Sequence, residues 1–191
     1  HPRYPNKCLG DLVCGWLAAE VLERAPSDQL LQTTREWCEY WRREHWGWGE
    51  HMSDIYTMVL LTEISALLLF SRRLPADLRS DLRGLMVDLL AIEDGYAGGP
   101  RVPQIRSYAF DESPSAMEFR RFIAPRVADA DPAIRSRLLA EVFGPWFFHA
   151  GWRELAPAPG AARSWVEIPC HGGAVARAVV RPELRLGAMS Q

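Results

Sequence analysis

From Asp11 to Ala25 the apolar positions Leu12, Val13, Trp16, Leu17, Ala19, Val21 and Leu22 recur mostly three and four residues apart, and Pro26 ends the run. That is the period of a helix with one buried face. Ser27 or Asp28 is placed to cap a second helix, in which Leu30, Leu31, Thr34, Trp37, Cys38 and Trp41 form a stripe opposite Arg35, Glu36, Glu39, Arg42 and Arg43. Its two indoles, one turn apart, are expected to stack. Ser53 or Asp54 offers the cap of a third helix that runs to about Arg73 and is apolar on most sides, as a helix inside a larger assembly would be. Pro75 fits the first turn of a fourth, with Leu78, Leu82, Leu85, Met86, Leu89 and Leu90 inward and Arg79, Asp81, Arg83 and Asp88 outward. The short breaks between these segments predict antiparallel helix pairs.

Asp94 to Pro114 reads as a connection longer than most loops, rich in glycine and proline, in which Tyr96, Arg101, Arg106, Tyr108 and Phe110 alternate with small residues. An ordered, ligand-facing loop suits that composition. Two shorter helices are predicted at about Ser115 to Ile123 and Pro132 to Phe143, closed by Gly144-Pro145. Beyond the Pro-rich stretch 156–163 the period changes to two: Trp165, Glu167 and Cys170, then Val175, Arg177, Val179 and Arg181, alternate with residues of opposite type. The expected organisation is therefore a helical region over 1–155, a linker over 156–163 and the start of a β region over 164–191. Because a short sheet is marginal alone, those strands are expected to be completed by further chain or by a second subunit.

Composition narrows the partners more than the fold. Of 191 residues 48% are hydrophobic and 24% charged, enough apolar content for a packed core. With 22 Lys+Arg against 24 Asp+Glu the formal net charge is -2, and no basic stripe gathers on one element, so nucleic acid is not expected. Lys7 is the only lysine. The apolar run Met58 to Phe70 contains Glu63 and falls short of the roughly 20 residues that cross a bilayer, so no membrane span is expected. Cys8, Cys14, Cys38 and Cys170 lack metal-ligand spacing and are too sparse for a disulfide scaffold. Nothing calls for a metal or a cofactor. A start without Met and an end without a closing element suggest a fragment, and no leader is visible.

The chemistry concentrates in His45-Trp46-Gly47-Trp48-Gly49-Glu50-His51-Met52-Ser53-Asp54-Ile55-Tyr56. Indole faces beside carboxylates and imidazoles are what sugar rings bind to, with apolar C–H faces on one side and hydroxyls on the other. Trp46 reads better as a plug between helix pairs, and His45 as a surface or cap residue. His51 and Tyr56 are candidates for general base and acid. Trp48, Glu50, Arg101, Arg106 and Tyr108 are candidates for substrate contact. Glu50 and Asp54 form a carboxylate pair suited to glycoside hydrolysis, although Asp54 is better placed as an N-cap. Glu63, alone in its apolar helix, needs a partner, and an arginine from 101 to 106 is the one on offer.

The 46–56 segment, the tryptophan-bearing helix pairs and the closing stretch from Ala176 to Ser190, with Arg181-Pro182 before Leu186-Gly187-Ala188-Met189-Ser190, together resemble polysaccharide lyases of the heparinase II/III and alginate-lyase type. The resemblance implies an incomplete (α/α) toroid followed by the first strands of a β-sandwich. It also implies β-elimination on an acidic polysaccharide, with His51 and Tyr56 exchanging the protons and a secreted or periplasmic setting. The Asn or Gln that neutralises the uronate carboxylate in that family has no counterpart near them, Asn6 being the only asparagine, so Arg101 or Arg106 is assigned that role. A glycoside hydrolase on the same scaffold, or a non-catalytic helical binding or assembly module, are the alternatives.

Overall fold

The computed structural model describes residues 4–47, 53–95, 164–181 and 184–190. Within them lie four helices, α1 (Pro5–Val21), α2 (Asp28–Glu44), α3 (Asp54–Phe70) and α4 (Ala76–Gly95), and three strands, β1 (Trp165–Pro169), β2 (Val175–Arg181) and β3 (Leu184–Ser190). The long connection, the two shorter helices and the linker expected between residues 96 and 163 lie outside the described residues.

Helix α1 begins six residues earlier than the apolar run predicts. Pro5 stands in its first turn, where a missing N–H costs nothing, and Leu9 extends the buried series Leu12, Trp16 and Ala19 backward. It ends at Val21, before Glu23 turns to a positive φ of 54°. Helix α2 is capped as expected: the Ser27 hydroxyl accepts the Leu30 N–H at 3.2 Å. Its buried residues Thr34, Trp37, Cys38 and Trp41 keep the three-four spacing. Helix α3 stops at Phe70 rather than near Arg73, because the Arg79 guanidinium takes the carbonyls of Leu68 and Ser71. Charge-assisted bonds of this kind close a helix end that has no glycine.

Contacts between helices fix their directions. Arg35 meets Asp77 at 3.1 Å, Arg42 meets Asp81, and the Trp46 indole donates to the Leu85 carbonyl, so numbering rises together along α2 and α4. Gly10 faces Glu63, while Glu20 accepts the Arg73 backbone N–H at 2.6 Å, so α1 and α3 also run alike. Ser65 faces Met86 as Arg79 reaches Leu68, which makes α3 and α4 antiparallel. The described residues thus form two antiparallel helix pairs stacked with equivalent helices side by side. Their shared core holds Leu9, Trp16, Trp37, Trp41, Trp46, Leu60, Ile64, Leu67, Leu82 and Leu89. Inside it the Trp16 indole donates to the Thr34 hydroxyl at 3.0 Å, and that hydroxyl donates to the Leu30 carbonyl at 2.7 Å.

The strands form one antiparallel meander in the order β1-β2-β3. The alternation seen in the sequence is present, and the even-numbered side, Val166, Ile168, Ala176, Ala178 and Val180, is the buried one. Ile92 of α4 packs against it, and Val166 touches the last turn of α4 at Gly95. A second joint lies at Gly47, whose missing Cβ would sit 3.4 Å from the carbonyl carbon of Cys170. On the opposite side Trp165, Val179 and Leu186 stand in one row across the three strands, with Trp165 and Leu186 exposed.

Candidate functional site

Of the residues proposed as acid, base or substrate contact, Tyr56 alone is described. It stands in the first turn of α3, half-buried and packed against the main core. His51, Trp48, Glu50, Arg101, Arg106 and Tyr108 lie outside the described residues. Ser53 occupies the N-cap position of α3 as expected, yet its side chain makes no cap hydrogen bond, and its hydroxyl is buried without a partner.

Trp46 is core, as its reading as a plug required. It follows His45, the left-handed C-cap of α2 with φ 48°, and itself adopts φ 59°. This double turn folds the indole back onto its own helix, where it stacks on Trp41 with centroids 5.6 Å apart and 15° between planes. Trp37 meets the same ring edge-on at 5.8 Å. Among the described residues the stacked indole pair is therefore Trp41 with Trp46 rather than Trp37 with Trp41. None of these three faces is open to a ligand.

Polar groups gather instead where α1 crosses α3. A cavity of about 460 Å³ is lined by Asn6, Lys7, Gly10 and Asp11 from α1 and by Val59 and Glu63 from α3. Glu63 Oε2 and Asn6 Oδ1 are both buried there without a hydrogen-bond partner. Burial, reinforced by the charge of Asp11, pushes the Glu63 carboxyl up to about 8. Its proposed arginine partners at 101 and 106 lie outside the described residues. The sequence marked Glu63 as needing company but missed the α1 side of the cavity, since the predicted helix started only at Asp11. Carrying that helix back to Pro5 puts Asn6, Lys7, Gly10 and Asp11 on one face, at spacings of one and four.

The four cysteines are free thiols, and Cys38, buried in α2, has its thiol pushed up to about 12 chiefly by desolvation. Among the described residues no three His, Cys, Asp or Glu side chains are gathered to hold a metal ion, and no helix is long and apolar enough to cross a membrane. Against known protein families, curated proteins and solved structures, the chain finds no match.

Proposed function

We propose that the protein is a carbohydrate-active enzyme, a polysaccharide lyase that cleaves an acidic polysaccharide by β-elimination. The observation that carries this reading is the order of the architecture: antiparallel helix pairs stacked with like directions, then an antiparallel sheet later in the chain. An incomplete (α/α) toroid leading into a β-sandwich has that order. In this reading His51 or Tyr56 takes the proton from C5 of a uronate, the electron pair forms the C4–C5 double bond, and the C4–O bond breaks as the other residue protonates the departing oxygen. Arg101 or Arg106 holds the carboxylate, which makes the C5 proton easier to remove. Tyr56 suits an acid-base role as a residue of the first turn of α3, five positions after His51 in the chain.

A second reading, a non-catalytic helical module, draws support from the burial of Trp37, Trp41 and Trp46, which removes three indoles from any sugar platform. Incubation with uronate polysaccharides separates the readings. A lyase generates the ultraviolet absorbance of an unsaturated uronate. A hydrolase releases reducing ends without that absorbance, and a binding module does neither.

A further inference from the structure

We propose that the outer edge of β3 is a dimer interface: two copies of the chain pair their β3 strands antiparallel across a two-fold axis at Gly187, joining two three-stranded sheets into one of six. The inference does not depend on the lyase reading. Its basis is the difference between the two edges of the sheet.

One hydrogen bond sets the direction of all the others. The Val180 N–H donates to the Ser164 carbonyl at 3.0 Å, so the even-numbered residues of β2 turn their backbone groups to β1 and the odd-numbered ones turn theirs to β3. Their register partners Leu184, Leu186, Ala188 and Ser190 answer them, which directs the backbone groups of Arg185, Gly187 and Met189 to the far side of β3. By the same alternation β1 directs those of Trp165, Glu167 and Pro169 outward.

The two edges would receive a second copy differently. On β1, Pro169 has no N–H to give, and self-pairing would set Glu167 directly opposite Glu167 of the second copy. That edge is guarded. Strand β3 has seven residues, no proline and a single charged side chain, and among the described residues β2 is the only strand beside it. Paired with itself about Gly187, it sets Gly187 against Gly187, Arg185 against Met189 and Leu186 against Ala188 of the second copy. The two Arg185 residues then stand four positions apart along the ladder, about 13 Å, which exceeds the screening length of about 8 Å at physiological salt. Leu186, 58% exposed, is covered in part by Ala188 and by its own counterpart on the diagonal. Each of these contacts is repeated by the two-fold axis, as a closed dimer requires.

The test is sedimentation equilibrium of the full chain and of variants in β3. The wild type should weigh twice 21.6 kDa at micromolar concentration. Gly187→Pro removes both N–H donors at the axis and leaves the β2 ladder whole, because that N–H faces away from β2; the dimer should weaken about tenfold or more. Leu186→Lys, at an exposed position, sets like charges on the diagonal and should weaken it several-fold with unchanged circular dichroism. In a Cys14→Ser chain, Gly187→Cys should give a disulfide-linked dimer on oxidation, since the two Cα atoms of such a pair lie about 5.5 Å apart, and Leu184→Cys should not. A monomer at every concentration overturns the proposal and means that the β3 edge is closed within the chain. So does a dimer that both Gly187→Pro and Leu186→Lys leave intact, or cross-linking that is indifferent to the position of the cysteine. If Gly187→Pro does not fold, the Leu186→Lys and cysteine results decide.

Discussion

Trp46 reaches across the helix pairs to Leu85: its Nε1–H donates to the Leu85 carbonyl at 3.2 Å while its ring lies on Trp41. One side chain thereby ties the end of α2 to the middle of α4. Trp46→Ala should cost about 3 to 5 kcal/mol, and Trp46→Phe, which keeps the stack and loses the bond, about 0.5 to 1.5 kcal/mol. Urea unfolding measures both. Equal losses would mean that the ring contributes no packing.

The Trp16 to Thr34 bond makes a similar link between α1 and α2. Thr34→Val preserves shape but strands the buried indole N–H, at an expected cost of about 1 to 3 kcal/mol. Thr34→Ser keeps the hydroxyl and should cost less. In a Trp16→Phe background the penalty of Thr34→Val should shrink, since the donor is gone; additive losses would separate the two residues energetically.

Glu63 makes stability depend on pH with a definite sign. Its folded carboxyl is raised to about 8 from an ordinary 4.5, so the folded state holds a proton that the unfolded chain releases. Its favourable contribution is full below about 4.5, declines as pH rises, and is gone above about 8, with a slope of at most about 1.4 kcal/mol per pH unit. Urea midpoints at pH 5, 7 and 9 should fall for the wild type relative to Glu63→Gln. Parallel profiles would show an unshifted carboxyl.

Two glycines give opposite expectations for one substitution. Gly84 lies on the exposed side of α4 with open space where a Cβ would go, so Gly84→Ala should stabilise by about 0.5 to 1 kcal/mol through helix propensity. At Gly47 a Cβ would stand 2.9 Å from the Glu44 carbonyl, and backbone rather than a movable side chain is in the way. Gly47→Ala should destabilise and loosen the sheet from the helices. Thermal melts of the two variants that shift the same way would contradict this account.

What the sequence made legible was local. The 3.6-residue stripes placed α2 and α4 within a residue or two, the Ser27 cap was readable, and Trp37, Trp41, Leu82, Leu85 and Leu89 were foreseen in the core and are buried. Ends fixed by distant partners were not: α3 stops where Arg79 takes its carbonyls, and no pattern within α3 signals that. Alternation marked the strands, but the choice of Ala176 and Ala178 for the inner face depends on α4 lying close above them. For the site, Glu63 was visible as a charge in an apolar helix. Its neighbours were not, because Asn6, Lys7 and Asp11 reach it across a helix contact more than 50 residues away in the chain.

Stacking like-directed helices has an electrical consequence. At one end of the bundle the carbonyl termini of α1 and α3 lie side by side, as do the amide termini of α2 and α4, so partial charges of one sign form a row instead of alternating. Asp28 and Asp77 stand in the first turns of α2 and α4 and answer the amide row, whereas in the carbonyl row only α3 is covered, by the Arg79 guanidinium, and α1 has no basic residue in its last turn. That end of the molecule therefore carries an unevenly compensated field, and reversing the charge of Asp28, Asp77 or Arg79 would set like against like in the terminal turn of its own helix.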